Sequence, residues 1–282
     1  MENNMAMEYP MFCYQCEQTA GGKGCTKMGI CGKTPEIAAL QDLLIYQIKG
    51  ISCYAKEIVE KGENVDKSIV TFIENSLFTT LTNVNFDADF HVEMLKESQR
   101  IKEALRRKVG KIKNDTEHAT YNLSESKAEM LRDAKKAGIM YDKELDPDIR
   151  SLRQTIVYGL KGISAYGHQA RELGYYDDQV DNFYIRALEA TTDDSLSVEE
   201  LIRWTMRTGD MSVAVMKKLD EANTTVYDNP SPHKVNVHIK KGPFIIVSGH
   251  DLKDLEMLLE QTEGKGINIY THGEMIPSHG YP

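Results

Sequence analysis

The sequence has no long apolar run, and its first residues lack the pattern of a secretory signal. No stretch of about 18 consecutive apolar residues occurs in it, which excludes a typical membrane-spanning helix. Residues 1–10 lack the basic start and the apolar core of a secretory signal. The formal net charge is −9, so the chain also lacks the positive charge that attracts nucleic acid or anionic membranes. We therefore predict a cytoplasmic protein with neither kind of partner.

Cysteine is scarce and unevenly distributed. The chain has 5 cysteines, and all but one fall between residues 13 and 31. An odd count in a large chain without a secretory signal argues against a disulfide framework, whereas clustered thiols in a reducing compartment are typical of a metal site. The common catalytic motifs are also missing, since there is no P-loop, no dinucleotide fingerprint and no Gly-x-Ser-x-Gly sequence.

The clustered thiols are Cys13, Cys16, Cys25 and Cys31, in a glycine-rich loop with x2, x8 and x5 spacing. Soft sulfur ligands favour zinc or an iron–sulfur cluster. The wide second pair and the glycines favour the bulkier cluster, while a zinc knuckle is the main alternative and unliganded structural cysteines are a third. Cys53 lies in a predicted helix, where a small buried packing residue is the simpler interpretation.

Helical periodicity dominates residues 34–223. Thr34 and Pro35 predict the start of the first helix, and Gly62 predicts its end. The polar stretch 110–124 is predicted to be a connector. Apolar residues at steps of three and four predict further helices at 65–81, 87–109, 147–173, 179–191 and 197–223.

A short repeat lies within two of these helices. Residues 46–54 and 158–166 share Tyr, Lys, Gly, Ile, Ser and Tyr at a constant offset of 112. We interpret it as a duplicated three-helix bundle, although two amphipathic helices can also match by chance. Glycine is costly within a helix, so we expect Gly50 and Gly162 to lie where another segment approaches closely.

The last part of the chain has a different pattern. A proline-rich boundary at 227–234 precedes a strand at 243–248, a helix at 251–262 and a second strand at 267–271. The predicted fold class is therefore mainly α with a C-terminal α/β part. It comprises two tandem three-helix bundles followed by the start of a Rossmann-like βαβ domain. One such unit is too small a sheet to stand alone, so we expect a truncated chain or a second chain that completes the fold.

The predicted domains are an iron–sulfur loop at 1–33, the duplicated bundles at 34–226 and a truncated α/β domain at 227–282. His250 and Glu274 each follow a strand of the βαβ unit, so both can face one crevice. Imidazole and carboxylate are suitable iron ligands, but the residues alone slightly favour a pair of ordinary polar loop residues. His272 and His279 are competing candidates for a metal.

Several segments match the motifs of one known family. They are Phe12–Thr19, Gly24-Cys25, Cys31–Thr34, Ser248–Leu252 and Thr271–Met275. On these motifs, residues 11–282 resemble the hybrid-cluster proteins, a family of hydroxylamine reductases.

The resemblance implies a [4Fe–4S] cluster on Cys13, Cys16, Cys25 and Cys31. It also implies that His250 and Glu274 are ligands of a second, hybrid iron–sulfur–oxygen cluster, where substrate is reduced. The implied reaction converts hydroxylamine to ammonia and water, and nitric oxide is a further substrate of the family. The implied partners are this small-molecule substrate and a redox electron donor, and the implied setting is anaerobic nitrosative stress.

Family members continue well beyond the residues matched here and supply further ligands to the hybrid cluster. We therefore expect this chain alone to be inactive. Two other functions stay open: a stand-alone electron carrier that uses the N-terminal cluster only, and a zinc-stabilised helical interaction module. Iron and acid-labile sulfide content separates the first from the second.

Overall fold

A computed structural model describes residues 11–141 and 145–282; the predicted absence of a secretory signal concerns residues outside these ranges. Within them, no helix is long and apolar enough to cross a membrane. The prediction of a mainly α chain with a small C-terminal α/β part is confirmed. The elements are α1 (Pro35–Glu60), α2 (Lys67–Thr79), α3 (Ala88–Val109), α4 (Glu117–Thr120), α5 (Lys127–Ala137), α6 (Pro147–Glu172), α7 (Asp178–Ala190), α8 (Val198–Tyr227), β1 (Phe244–Ser248), α9 (Leu252–Thr262) and β2 (Asn268–His272).

The chain divides into two compact units. Unit 1 consists of Met1–Ser164 and Asp178–Ser212, and unit 2 consists of Ala165–Asp177 and Val213–Pro282. The long helices α6 and α8 each contribute to both units. The predicted domain limits at residues 33 and 226 stay predictions.

Helix α1 is the central helix of unit 1. The Thr34 side chain accepts a hydrogen bond from the backbone N–H of Ile37 at 3.3 Å, and Pro35 occupies the first turn. The helix ends before Gly62, whose φ of 76° suits a residue without a side chain. Since α3, α5 and α7 all pack against α1, nearly every side of it is buried.

Helix α7 packs on both α1 and α2. Lys56 of α1 and Glu189 of α7 form an ion pair of 2.7 Å, and the Tyr184 hydroxyl donates to the Glu74 carboxylate at 3.4 Å. The predicted second bundle therefore contributes a helix that packs directly against the first bundle. Because α7 packs on α1 and α2, the packing within unit 1 does not divide these helices into two distinct three-helix bundles.

The region between α3 and α6 contains more helix than the sequence predicts. Residues 110–124 include the short helix α4, and α5 follows at Lys127–Ala137. Ser126 and Glu129 form a capping box at the start of α5, in which each side chain bonds to the backbone N–H of the other residue. Met130 and Ala134 are fully buried, so one face of α5 joins the core of unit 1.

The two repeat glycines have different surroundings. A Cβ at Gly50 would overlap the backbone carbonyl of His118, so the expected close approach is confirmed there, with α4 as the neighbour. At Gly162 a Cβ would meet no described atom within 4 Å. The expectation of close approach is therefore wrong for Gly162, because no segment packs over that position.

Unit 2 contains the βαβ unit. Strands β1 and β2 are parallel, in a register that pairs Ser248 with His272, and α9 connects them. Asp251 caps α9 by accepting a hydrogen bond from the backbone N–H of Asp254 at 3.0 Å. Because parallel strands end at the same edge, the residues that follow Ser248 and His272 lie side by side.

Candidate functional site

Backbone hydrogen bonds within the cysteine loop fix its shape. Cys13 and Cys25 form an antiparallel bridge in which each N–H donates to the other carbonyl, at 3.0 and 2.7 Å. A single 3₁₀ turn at Ala20–Gly22 reverses the chain between them, with φ of 60° at Gly21 and 66° at Gly22. The glycines of this turn are thus required by conformation.

Two other glycines of the loop are required by space. A Cβ at Gly24 would lie 2.6 Å from the Phe12 ring, and a Cβ at Gly29 would lie 2.9 Å from the Cys31 sulfur. Any larger residue at Gly29 would push the thiol aside. The Cys31 sulfur therefore lies beside the backbone of Gly29, with no side chain between them.

All four loop cysteines are free thiols, with Cys25 buried and the others half-buried. Among the described residues, no three Cys, His, Asp or Glu side chains are gathered tightly enough to hold a single metal ion. Thiolates that bind an iron–sulfur cluster each bind a different iron, so they stand further apart than the ligands of one ion. By donor chemistry the loop therefore fits a cluster, for which soft thiolates are the preferred ligands.

Residues between the first two cysteines attach the loop to the helices. The Gln15 side-chain amide donates to the Thr80 carbonyl at 3.1 Å and accepts from the Lys161 ammonium at 3.0 Å. The Tyr14 ring meets the Tyr158 ring edge-on, with centroids 5.3 Å apart. Both α6 contacts come from the second copy of the repeat.

Cys53 lies apart from the loop, within α1. Its sulfur lies 3.6 Å from the Thr192 hydroxyl and 3.8 Å from the Thr116 hydroxyl. Burial raises the pKa of the Cys53 thiol, which keeps it protonated and unsuited to bind metal. These contacts fit the predicted packing role.

The second predicted site lies at the edge of the βαβ unit. His250 follows β1, and Glu274 lies in the 3₁₀ helix Gly273–Gly280 that follows β2. The structure brings them together, with 2.6 Å between His250 Nε2 and Glu274 Oε2. Both side chains are more than half exposed. His279 is engaged elsewhere, 2.7 Å from the Thr271 hydroxyl.

Unit 1 also contains a cavity of about 900 Å³ that sequence reasoning did not anticipate. Helices α1 and α6 both line it, and Cys13 reaches its wall. The wall includes Lys49 and Lys161, the two lysines of the repeat. The sequence does contain a signal for these two residues, because a lysine recurs at the same position of both apolar helix faces. Packing of an apolar face does not require a charged residue there.

The cavity lowers the basicity of the groups that line it. Burial, and next the Arg153 guanidinium, lower the pKa of Lys49 to about 8. Burial, followed by repulsion from Lys33, lowers the pKa of Lys161 to about 7. Burial also holds the pKa of His118 well below its usual value, with Lys49 contributing. These groups therefore lose their protons more readily than exposed ones, because burial and neighbouring positive charge both disfavour the charged form.

The fold and the site together define a helical protein with an N-terminal thiolate loop and a small α/β part. Residues 11–282 match the Prismane/CO dehydrogenase family, and the chain therefore belongs to that family.

Several relatives are named hydroxylamine reductase. The chain is 47% identical to the protein of Syntrophobacter fumaroxidans over 276 residues, which cover 96% of this chain and 51% of that protein. It is 46% identical to the protein of Acetivibrio thermocellus, over 96% of this chain and 49% of the relative. For Desulfovibrio desulfuricans the identity is 45%, over 98% of this chain and 50% of the relative. The chain thus spans about half the length of the curated relatives it matches.

Proposed function

We propose that this chain is part of an iron–sulfur oxidoreductase that reduces hydroxylamine. The observation that carries the proposal is a loop of four free thiols, shaped by required glycines, in a chain 47% identical to a protein named hydroxylamine reductase. The reaction consumes hydroxylamine, two electrons and two protons, and yields ammonia and water. An iron–sulfur cluster supplies one-electron transfer, while the chain's own residues hold and shield it.

Within this function, Cys13, Cys16, Cys25 and Cys31 bind a [4Fe–4S] cluster. The thiols are not paired in disulfides, and Gly29 leaves the Cys31 sulfur in contact with backbone only on that side. Purification without oxygen should give about four iron and four sulfide per chain. Stoichiometric zinc without visible absorbance would contradict the proposal and favour the zinc module.

Serine substitutions test the ligand assignment with an internal control. Changing any one of the four loop cysteines to serine should lower iron content and visible absorbance, since serine is a poor ligand for this cluster. Cys53→Ser is the matched control and should keep the full iron content. Equal loss of iron in Cys53→Ser and Cys31→Ser would show that the loss reflects misfolding and not ligation.

We further propose that His250 and Glu274 are ligands of a second, hybrid iron–sulfur–oxygen cluster in the complete protein. Their contact of 2.6 Å supports this, because it shows that both side chains reach one point at the end of the strands. In a full-length protein that contains this segment, His250→Ala should abolish ammonia formation from hydroxylamine with a reduced viologen dye. The same variant should lose iron at the second centre but keep the N-terminal cluster signal. Normal turnover in His250→Ala would refute the assignment.

The finer architecture and the cellular setting belong to the same proposal. The 112-residue offset supports two duplicated three-helix bundles, and superposition of α1–α3 on α6–α8 in a crystal structure of the full-length protein tests it. A cytoplasmic location and a role in anaerobic nitrosative stress follow from the proposed chemistry. Fractionation of anaerobic cells exposed to nitric oxide, with and without the gene, tests both.

A further inference from the structure

The basic and acidic residues that line the cavity of unit 1 differ in how deeply they are buried. Three lysines of its wall, Lys33, Lys49 and Lys161, expose only 4, 8 and 6% of their surface. None of the acidic side chains that line it within the described residues is buried; they are Asp42, Asp115, Glu117, Asp193 and Asp194. The most buried charged residues of the wall are therefore lysines, although the half-buried Asp42 carboxylate favours the charged form of both Lys49 and Lys161.

A structural buried lysine in the same unit looks different. The Lys102 ammonium donates to the Gln47 side-chain oxygen and to the Tyr121 carbonyl, and it lies 3.4 Å from the His118 carbonyl. Such a set of acceptors offsets much of the cost of burying an ammonium. Lys102 thus shows how this fold pairs a lysine that serves stability.

Lys49 has no comparable partners. Within the described residues, its ammonium makes no hydrogen bond or close ion pair, although the Asp42 carboxylate favours its charged form. Lys161 donates to the Gln15 side-chain oxygen at 3.0 Å, and its ammonium lies 5.7 Å from the centroid of the Tyr158 ring. Lys49 also contributes to lowering the pKa of Lys161, so the two ammonium groups repel each other across the cavity. Neither lysine therefore has the partners that a purely structural role requires.

Arg153 adds an unused donor to the same wall. One terminal nitrogen donates to the Asp193 carbonyl and to the Asp194 carboxylate, both at 2.9 Å. Its Nε is buried and has no acceptor among the described residues. A buried donor without a partner costs about 1–3 kcal/mol, and an acceptor that enters the cavity would offset this cost.

We propose that this cavity binds a phosphate-class oxyanion through Lys49, Lys161 and the Arg153 Nε. A dianion matches two ammonium groups and a guanidinium better than a monoanion does, and phosphate oxygens accept from both donor types. The volume of about 900 Å³ exceeds the needs of one phosphate, so the group can be free phosphate or the phosphoryl end of an organic molecule. The site adjoins the proposed cluster loop, since Cys13 also lines the cavity and Lys161 bonds to Gln15, but it uses none of the four proposed cluster ligands.

Calorimetric titration of the full chain tests the proposal, with inorganic phosphate, pyrophosphate and ADP as separate probes. We expect saturable 1:1 binding of at least one probe. Tightest binding of ADP would identify an organic source, and tightest binding of either inorganic probe would identify a free one. Lys49→Met with Lys161→Met should weaken binding at least about 10-fold, since charge-assisted hydrogen bonds are lost. The matched control is Lys111→Met, which removes an exposed charge of unit 1 outside the cavity and should bind normally.

A second measurement, the melting temperature, distinguishes a loss of binding from misfolding of the variant. Without ligand, the double variant should melt at a higher temperature than the parent chain, because two poorly paired buried charges are gone. A lower melting temperature would show that the lysines support the fold and would overturn the proposal. So would undiminished binding in the double variant, or no saturable binding of any probe. Iron content, measured on the same samples, reports separately on the proposed cluster.

Discussion

The two copies of the repeat present the same side chains to different neighbours. In the first copy, the Tyr46 ring stacks on the His118 imidazole of α4, with centroids 4.2 Å apart, and Gly50 lies against the His118 carbonyl. In the second copy, Tyr158 and Lys161 contact the cysteine loop, and no described atom lies within 4 Å of a Cβ built at Gly162.

This difference shows that the residues on a helix surface do not by themselves determine which segment packs against it. Each copy supplies a tyrosine for ring packing and a lysine for the cavity, whatever segment covers it. The glycine is needed only where backbone approaches backbone, at Gly50. In the second copy, Tyr158 and Lys161 instead contact the proposed cluster loop. Variants at matched positions can break or sharpen this comparison.

The largest difference should appear at the two glycines. Gly50→Ala should lower the free energy of unfolding by about 3 kcal/mol or more, because the new methyl group overlaps the rigid His118 carbonyl. Gly162→Ala should raise it by roughly 0.5–1 kcal/mol through helix propensity alone. Urea unfolding followed by circular dichroism measures both. Equal effects at the two positions would mean that the two copies have the same surroundings after all.

Helix positions illustrate what the sequence can predict. The limits of α1, α3 and α6 follow from local caps and periodicity, and the predicted limits agree with the structure within a few residues. The signal for α5, the capping box of Ser126 and Glu129, is equally local, but the polar residues around it obscure it.

Non-local features could not be predicted in the same way. The pairing of His250 with Glu274 follows from parallel-strand geometry once the strands are known. The open space at Gly162 and the cavity beside Lys49 depend on where other segments do not pack. No pattern within either helix contains that information.

The lysines should produce a pH dependence that differs between the copies. Both folded pKa values lie below the unfolded value of 10.5, so the unfolded chain binds more protons between about pH 7 and 10.5. Stability should therefore rise with pH in that window, by roughly 2 kcal/mol for Lys161 and 1 kcal/mol for Lys49 between pH 7 and 9. Lys161→Met should remove the part of the rise that begins near pH 7, and Lys49→Met the part that begins near pH 8.

Urea unfolding at pH 7, 8 and 9 measures this slope. Lys102, whose pKa burial lowers to about 7, stays in both variants and should leave a residual rise. A slope that is unchanged in the double variant would assign the whole dependence to Lys102 and other groups.

The smallest difference should appear at the tyrosines. The Tyr46 hydroxyl is buried and makes no hydrogen bond of ordinary length within the described residues, although Glu117 lies nearby. The Tyr158 ring is half-buried and meets the Tyr14 ring edge-on, with centroids 5.3 Å apart. Tyr46→Phe should be neutral or slightly stabilising because it removes a buried unpaired hydroxyl, whereas Tyr158→Phe, which keeps the ring contact, should cost no more than about 0.5 kcal/mol. Thermal unfolding of the two variants side by side would reveal a reversed order.

The hydrogen bond between Gln15 and Lys161 joins residues 146 positions apart, and this separation translates into time. At ~5–20 residues per second of synthesis, the loop precedes the helix that holds it by about 7–30 s. Throughout that interval the four thiols are outside their folded surroundings, exposed to oxidants and to whatever delivers iron. A brief pulse of thiol-alkylating reagent on ribosome-bound chains, stalled before or after α6 emerges, would measure how abruptly that exposure ends.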